Sequence, residues 1–278
     1  MTPDFRADLH CHSYCSDGSD SPEELLKKAK EIGLNGLSIT DHDSIRAYTP
    51  ELFSLAEQLS IRLLTGIELS SEWEGATVHV LGYGIDVQSQ LLIDFLAEMI
   101  RRRDVRNRAI IEKLKARKID IEMEEVEALT YELFSHRTIG RPHIAEALVR
   151  KGIVSTIQQA FEIYLREGAS CYVSGIKYSP KDAIEIIHLA KGKAVLAHPH
   201  FIKKGALLRY LLSLPFDGLE CHYGTLNKVQ ERPWLEKAKA KGLIATGGSD
   251  YHGKFKPYIP LGCSWVSEGI FNSLMSCG

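Results

Sequence analysis

The stretch Ala7-Asp8-Leu9-His10-Cys11-His12-Ser13 is the most informative in the chain. FRADLH, residues 5–10, reads as a short strand running into a cluster of metal-binding side chains. Side chains on a strand alternate with period two, so His10 and His12 share one face and Cys11 points away from both. The same grammar recurs along the chain. Short apolar runs end in, or carry, Asp17 in SDG, Asp41 and His42 in SITDHD, Glu68 in LLTGIELS and His79 in TVHVLGY. His198 in AVLAHPH and Asp250 and His252 in GGSDYHG follow. Imidazole and carboxylate together suit divalent ions of the zinc, manganese and iron type. Cysteine is missing from most of these clusters, which argues for a hydrolytic centre over a closed structural zinc site.

Around these clusters the first third alternates strands with helices. Ser21 as N-cap, Pro22 at the first helical position and Glu24 closing a capping box start one helix, and Gly33 stops it. LNGLSIT is the next strand, PELFSLAEQL the next helix, and IRLLTGIELS and TVHVLGYGI are further strands. After Gly84 the rhythm changes. From Leu91 to about Arg166 only helices are expected, beginning with the long charged LLIDFLAEMIRRRDVRNRAIIEKLKARKI. Alternation then resumes through strands KAVLAH, DGLECH and LIATGGS. The expected organisation is an α/β domain in two parts, 1–88 and 179–278, interrupted by a helical insertion over 89–178 that caps the substrate. Strands alternating with helices favour a parallel sheet or a barrel. His10, His42, Glu68, His198, His222 and Asp250 then fall at or just past strand C-termini, and those ends converge on one face of a barrel.

Convergence has chemical consequences. His10 and His12 together can bind one ion. Glu68 has two oxygens and can bridge to a second ion served by His79 and His198, and Asp17, His42 and His252 can hold a third. Ions roughly 3.5–4 Å apart clamp the attacking and leaving oxygens in phosphoryl transfer.

Composition narrows the classes. The chain has 278 residues, a formal net charge of −2, 44% apolar and 25% charged residues, as expected of an ordinary globular protein without a global drive toward nucleic acid. No apolar stretch is long enough to span a bilayer, and MTPDFRADLH lacks an apolar signal core, so a cytoplasmic protein with no membrane partner is expected. Six cysteines, Cys11, Cys15, Cys171, Cys221, Cys263 and Cys277, form no CxxC and read as reduced thiols.

The ordered series DLHCHS, SDG, TDHD, GIELS, VHVLGY, AHPH and GSDYH, from Asp8 to His252, resembles the PHP family, named for its polymerase and histidinol-phosphatase members. The resemblance implies a distorted β/α barrel, commonly seven-stranded, with a phosphoesterase site of two or three divalent ions (Mn²⁺, Zn²⁺ or Fe²⁺). It implies that His10, His12, Glu68 and Asp250 hold one ion, Glu68, His79 and His198 a second, and Asp17, His42 and His252 a third. GRPHIAEAL, residues 140–148, is similar to a segment of the nucleotide-phosphatase branch. Members of that branch remove the 3′-phosphate from nucleoside 3′,5′-bisphosphates, and some degrade short RNA from the 5′ end.

The residues of that segment agree. Arg141 at a helix start, with Pro142 at the first helical position, makes a good anion site, and His143 either assists it or packs the helix. His200, where relatives often have glycine, narrows the pocket or contacts substrate. His252 and His222 are alternative proton donors to the leaving alkoxide beside Glu68 at the nucleophile. No obligate protein partner is evident; the expected partner is a small nucleotide or short oligoribonucleotide. A small phosphomonoester such as histidinol phosphate is the alternative substrate, and a non-catalytic metal-binding module the alternative class.

Each cluster has a plainer reading. Nine basic residues between 101 and 118, among them Arg101, Arg102, Arg103 and Arg106, read as the solvated face of a helix before they read as an RNA track. Asp41 either orients an imidazole or caps a turn. Asp20 and Asp43 read as turn residues, Glu72 and Glu74 as a solvated loop, and His188 as a packing residue on an apolar helix face. His136 gains nothing from the motif order.

Overall fold

A computed structural model describes residues 5–131, 139–175 and 178–275, without the side chains of Thr130 and Tyr131. His136 and Cys277 lie outside the described residues.

The chain is a mixed α/β fold. Strand β1 (Ala7–Cys11) pairs in parallel with β2 (Gly36–Ile39), and β2 with the short β3 (Arg62–Leu63). Between them run α1 (Pro22–Glu31) and α2 (Pro50–Leu59). The capping box forms as read. Ser21 Oγ accepts the Glu24 N–H at 3.0 Å, the Glu24 carboxylate accepts the Ser21 N–H at 2.7 Å, and Leu25, Leu26 and Ala29 are fully buried.

A second sheet orders β4 (Gly66–Trp73), β5 (Ala76–Tyr83), β6 (Lys193–Leu196), β7 (Gly218–Tyr223) and β8 (Ile244–Gly248). Here the expectation of a parallel sheet or a barrel holds only for part of the strands. β4 and β5 are antiparallel, as are β5 and β6; only β6–β7 and β7–β8 are parallel. The physical reason is the two-residue connection Glu74-Gly75. Both residues have positive φ, 48° and 78°, the handedness that lets a two-residue hairpin turn match strand twist. IRLLTGIELS also divides, because the chain leaves β3 at Leu63 and re-enters a different sheet at Gly66.

No closed sheet forms among the described residues, yet isolated bridges stitch the two sheets where the motifs lie. Cys11 bridges Tyr251 and His42 bridges Glu68, both in parallel sense. The Asp250 N–H donates to His10 O at 2.7 Å and the His12 N–H to Tyr251 O at 2.9 Å. Gly248 permits this approach, since a Cβ there would collide with the His10 backbone nitrogen.

Between β5 and β6 come α3 (Gln90–Ala116), α4 (Met123–Tyr131), α5 (Arg141–Arg150), α6 (Ile157–Ala160), a short π-helix over Phe161–Leu165 and α7 (Pro180–Leu189). Ile110, Leu114, Ile144, Leu148 and Leu165 form an apolar cluster of their own, separate from the one in which Ile67, Val80, Ile187 and Leu196 pack between the second sheet and α7. Helices α8 (Gly205–Leu211), α9 (Lys228–Lys241) and α10 (Glu268–Leu274) complete the described fold. No described helix is long and apolar enough to cross a membrane.

Candidate metal centre

Glu68 stands at the middle of the site. Its Oε2 lies 3.3 Å from His10 Nε2 and 3.2 Å from both His12 Nε2 and His42 Nδ1. Its Oε1 lies 2.9 Å from His79 Nδ1 and 3.0 Å from His198 Nε2. Asp250 Oδ1 faces His10, His12 and His252 at 3.4, 3.2 and 3.4 Å. Asp17 faces His12, His42 and His252 at 3.6, 3.7 and 3.5 Å. All nine side chains read as ligands from the sequence are therefore brought together. His10, His12, Glu68, Asp250 and His252 are buried.

Three groups have donor atoms close enough to share an ion: His12, Asp17, His42 and His252; His10, His12 and Asp250; and His42, Glu68 and His79. These sets overlap the expected ones without matching them. His12 joins the Asp17 group as well as the His10 group, because its two ring nitrogens face both, and His42 reaches Glu68 as well as Asp17.

The donor atoms fit cations. Both ring nitrogens of His12 and the Nδ1 of His42 are buried without a hydrogen-bond partner, although carboxylate oxygens lie 3.2 Å from His12 Nε2 and His42 Nδ1 and 3.6 Å from His12 Nδ1. Buried imidazole nitrogens left in that state are costly unless something other than a hydrogen bond satisfies them. The backbone is committed too: His198 and Asp250 have φ of 28° and 58°, a left-handed conformation that non-glycine residues hold at a cost.

Electrostatics point the same way. Burial opposes ionisation of Glu68, but the surrounding imidazoles, His42 and His79 first, hold it well below the usual carboxylate range. Burial likewise opposes ionisation of Asp250, and Lys256, His252 and His10 bring it down. His12 is desolvated, yet Asp250 and Glu68 raise it to about 9, whereas burial and then Lys256 lower His252 to about 3. Protons are thus shared unevenly among crowded imidazoles, and divalent cations satisfy the same carboxylates without that crowding.

Several residues that were not read as functional hold the centre in place. Glu220, inside DGLECH, places Oε1 2.7 Å from His10 Nδ1 and accepts the His198 N–H at 2.5 Å. Asp8 accepts the Ser249 and His10 N–H groups at 2.9 and 3.2 Å. Lys256 Nζ and Tyr223 OH donate to Asp250 Oδ2 at 2.7 and 2.6 Å. An acidic residue within an otherwise apolar strand was the available signal for Glu220. Asp41 takes its turn role, accepting Ser13 N–H and Oγ and Ser16 Oγ at 2.8, 2.6 and 2.6 Å. That shapes the loop carrying Asp17.

A cavity of about 250 Å³ opens beside Asp17, His42, His79 and His252, and its far wall is Arg103, Arg106 and Arg141. This corrects the reading of the basic helix as a solvated face. Arg101 and Arg102 pair with Glu98, but Arg103 and Arg106 turn inward. Asp43, read as a turn residue, is buried and pairs with Arg103. Arg106 bonds Asn107 Oδ1 at 2.9 Å and, among the described residues, has no carboxylate in ion-pair reach. Burial, then Arg103 and Arg141, push its guanidinium well below its ordinary pKa, a penalty an anion would relieve. Arg141 donates to Leu165 O at 3.2 Å and lies over the Tyr172 ring.

Other expected site residues stand elsewhere. The His143 Nδ1 accepts the Gly140 N–H at 2.9 Å, so this buried ring closes the first turn of α5 and does not line the cavity. His200 packs against Phe201 and Tyr223, with ring centroids 4.1 and 4.5 Å away, outside that cavity's wall. His222 is 2.9 Å from Glu231 and lines a different cavity with Trp265. An irregularity in β7 between Glu220 and His222 accompanies this divergence. His188 is partly exposed and pairs with Asp217 at 2.7 Å, so it is not a packing residue. Asp20 bonds Lys28 and Tyr251, and Glu72 bonds Ser174, so neither is a simple turn or loop residue. Glu74 is in the hairpin turn. Cys11 is buried with Leu25 and Leu37, away from the ligands, and the five described cysteines are free thiols.

Six imidazoles and three carboxylates converging under an arginine-walled cavity define a metal-dependent hydrolytic centre for anionic esters. The chain belongs to the PHP-domain family, whose profile matches residues 8–259. It is 34% identical to the 5′-3′ exoribonuclease Rnm of Escherichia coli (strain K12) over 272 residues, covering 95% of this chain and 90% of that protein. It is 33% identical to the 3′,5′-nucleoside bisphosphate phosphatase of Chromobacterium violaceum, covering 88% of this chain and 86% of that one. A crystal structure from Bifidobacterium adolescentis, described as a metal-dependent phosphoesterase, superposes with a TM-score of 0.86 at 29% identity, covering 96% of this chain and 94% of its own. The protein is a metal-dependent phosphoric ester hydrolase.

Proposed function

We propose that the enzyme hydrolyses nucleotide phosphoesters, removing the 3′-phosphate of nucleoside 3′,5′-bisphosphates and releasing nucleotides from the 5′ end of short RNA. The observation that carries this is the cavity in which Arg103, Arg106 and Arg141 face Asp17, His42, His79 and His252. A substrate with two phosphates fits such a site: one at the donor cluster, one on the arginines. The names of the E. coli and C. violaceum relatives support the same substrates.

In this reading the (β/α) core is a distorted barrel of the kind common to the family. Residues 1–88 and 179–278 build it, and 89–178 form a helical cap that supplies the arginines. Two or three divalent ions, Mn²⁺, Zn²⁺ or Fe²⁺, supply Lewis-acid activation of the phosphate and of the attacking water. Glu68 separates two sets of imidazoles with its two oxygens, His10, His12 and His42 on one side and His79 and His198 on the other. Arg106 and Arg141 bind and orient the second phosphate through charge-assisted hydrogen bonds. Lys256, held protonated by its Asp250 contact against burial, lines the same cavity and adds positive charge. Of the two histidines considered as proton donors, His252 borders the cavity and His222 does not.

Metal analysis and a three-substrate assay test the proposal: adenosine 3′,5′-bisphosphate, a 5′-phosphorylated RNA oligomer and histidinol phosphate. Turnover of the first two is expected; turnover of histidinol phosphate alone overturns the substrate assignment. Glu68→Ala is expected to lose metal and activity together, with hydrolysis down about 100- to 1,000-fold or more. Bound metal without hydrolysis of any substrate would favour a non-catalytic module.

A further inference from the structure

A second cavity, of about 350 Å³, opens on the other flank of the donor cluster and is lined by His79, His198, Phe201, Lys203 and Lys204. It shares Thr77 and His79 with the arginine-walled cavity, so the two meet at the donor cluster. Their walls differ in kind. The first presents partly and fully buried guanidiniums, suited to fixing one phosphate in one position. The second presents two exposed lysines and the half-exposed Phe201 ring, 54% accessible, with Glu167 as the acidic residue on its wall.

Exposed cations beside an exposed aromatic face are what a single-stranded nucleic acid requires, because phosphates follow the charge and any base can stack on the ring. A mononucleotide held by the arginines leaves this flank unused. An RNA chain held with its 5′ nucleotide on the arginine side and the scissile phosphate at Glu68 has this adjoining cavity, lined by His79 and His198, to continue into. We propose that the Phe201–Lys203–Lys204 groove is the subsite for the nucleotides 3′ of the cleaved bond, with Phe201 stacking the first base and the lysines following its phosphates. This rests on the nucleotide-phosphoesterase reading and extends it from mononucleotides to chains. Phe201 and the lysines act as binding and positioning residues and take no part in the chemistry.

The test compares the intact enzyme with a Lys203→Glu/Lys204→Glu variant and with Phe201→Leu. Each is assayed on a 5′-phosphorylated RNA pentamer and on adenosine 3′,5′-bisphosphate, over a range of salt. For the lysine variant, kcat/KM on the pentamer is expected to fall about tenfold or more, through KM, with a shallower salt dependence. Its activity on the bisphosphate should stay within about twofold of the parent enzyme, which also reports that the variant is folded. Phe201→Leu should lose about fivefold or more on the pentamer through lost stacking. Unchanged pentamer kinetics, or equal losses on both substrates, overturn the groove. Binding of a phosphorothioate pentamer, read by fluorescence anisotropy, separates this result from failure of the nucleotide reading. If the parent enzyme hydrolyses neither substrate, that reading fails, and the groove stands or falls on whether the lysine variant loses the pentamer.

Discussion

Glu220 Oε1 sits 2.7 Å from His10 Nδ1, and its second oxygen accepts the His198 N–H at 2.5 Å. One buried carboxylate thereby aims the imidazole of His10 at Glu68 and fixes the backbone of His198, whose φ is 28°. Carboxylates behind metal-binding histidines set ring tautomer and orientation. Glu220→Gln should weaken metal affinity about 10- to 100-fold, with turnover recovering as metal is added. Metal titration followed by calorimetry checks this; affinity equal to that of the parent would show that His10 is held by other contacts.

The arginine wall predicts a split in substrate dependence. Arg106→Met and Arg141→Ala should each raise KM for adenosine 3′,5′-bisphosphate by about 10- to 100-fold, the worth of one charge-assisted hydrogen bond. Both should leave kcat/KM unchanged on a phosphomonoester that lacks the second phosphate. Steady-state kinetics on the two substrates decide it, and equal losses on both would mean that the arginines serve the reacting phosphate.

His222 offers a negative test. It pairs with Glu231 and lines a cavity of about 510 Å³ with Trp265. His222→Ala should therefore keep kcat within about threefold, whereas removing a working general acid costs about 100-fold or more. It should still lower Tm by some degrees, because the buried Glu231 loses the His222 Nδ1 2.9 Å from its carboxylate and keeps its contact with Lys228.

Acid stability has a defined sign at Asp20. Burial opposes its ionisation, but hydrogen bonds from Lys28 and Tyr251 hold its pKa below the ordinary carboxylate value. A folded-state pKa lower than the unfolded one stabilises above the unfolded value, about 3.9, and that stabilisation disappears as pH falls through the lowered value. In chelator, Asp20→Asn should have a lower Tm than the parent at pH 6, and the gap should close toward pH 3. A gap independent of pH would mean that Asp20 contributes through packing alone.

How far these features were legible differs from residue to residue. The capping box at Ser21 and Glu24 was plain in the sequence because its partners are three residues apart and need nothing from the rest of the chain. The donor residues were legible as an ordered series because each sits in a local motif. The antiparallel β4–β5–β6 path was not, since Glu74-Gly75 signals a hairpin only when the register on both sides is known. Arg103 and Arg106 looked like neighbours of Arg101 and Arg102 on one charged helix. Two positions along a helix turn a side chain by about 200°, so Arg101 and Arg103 face opposite ways, and the position of Asp43 shows that it is Arg103 that points inward.

The order of residues alone settled the donor types, their sequence along the chain and the local starts and stops of several elements, because those rest on side-chain chemistry and short-range hydrogen bonds. Tertiary structure decided which imidazole faces which oxygen, that Glu220 and Lys256 support the centre, and that His222 points to another cavity. Those outcomes depend on strand register and on contacts between residues as far apart as 10 and 220, where a one-residue irregularity redirects a side chain across the sheet.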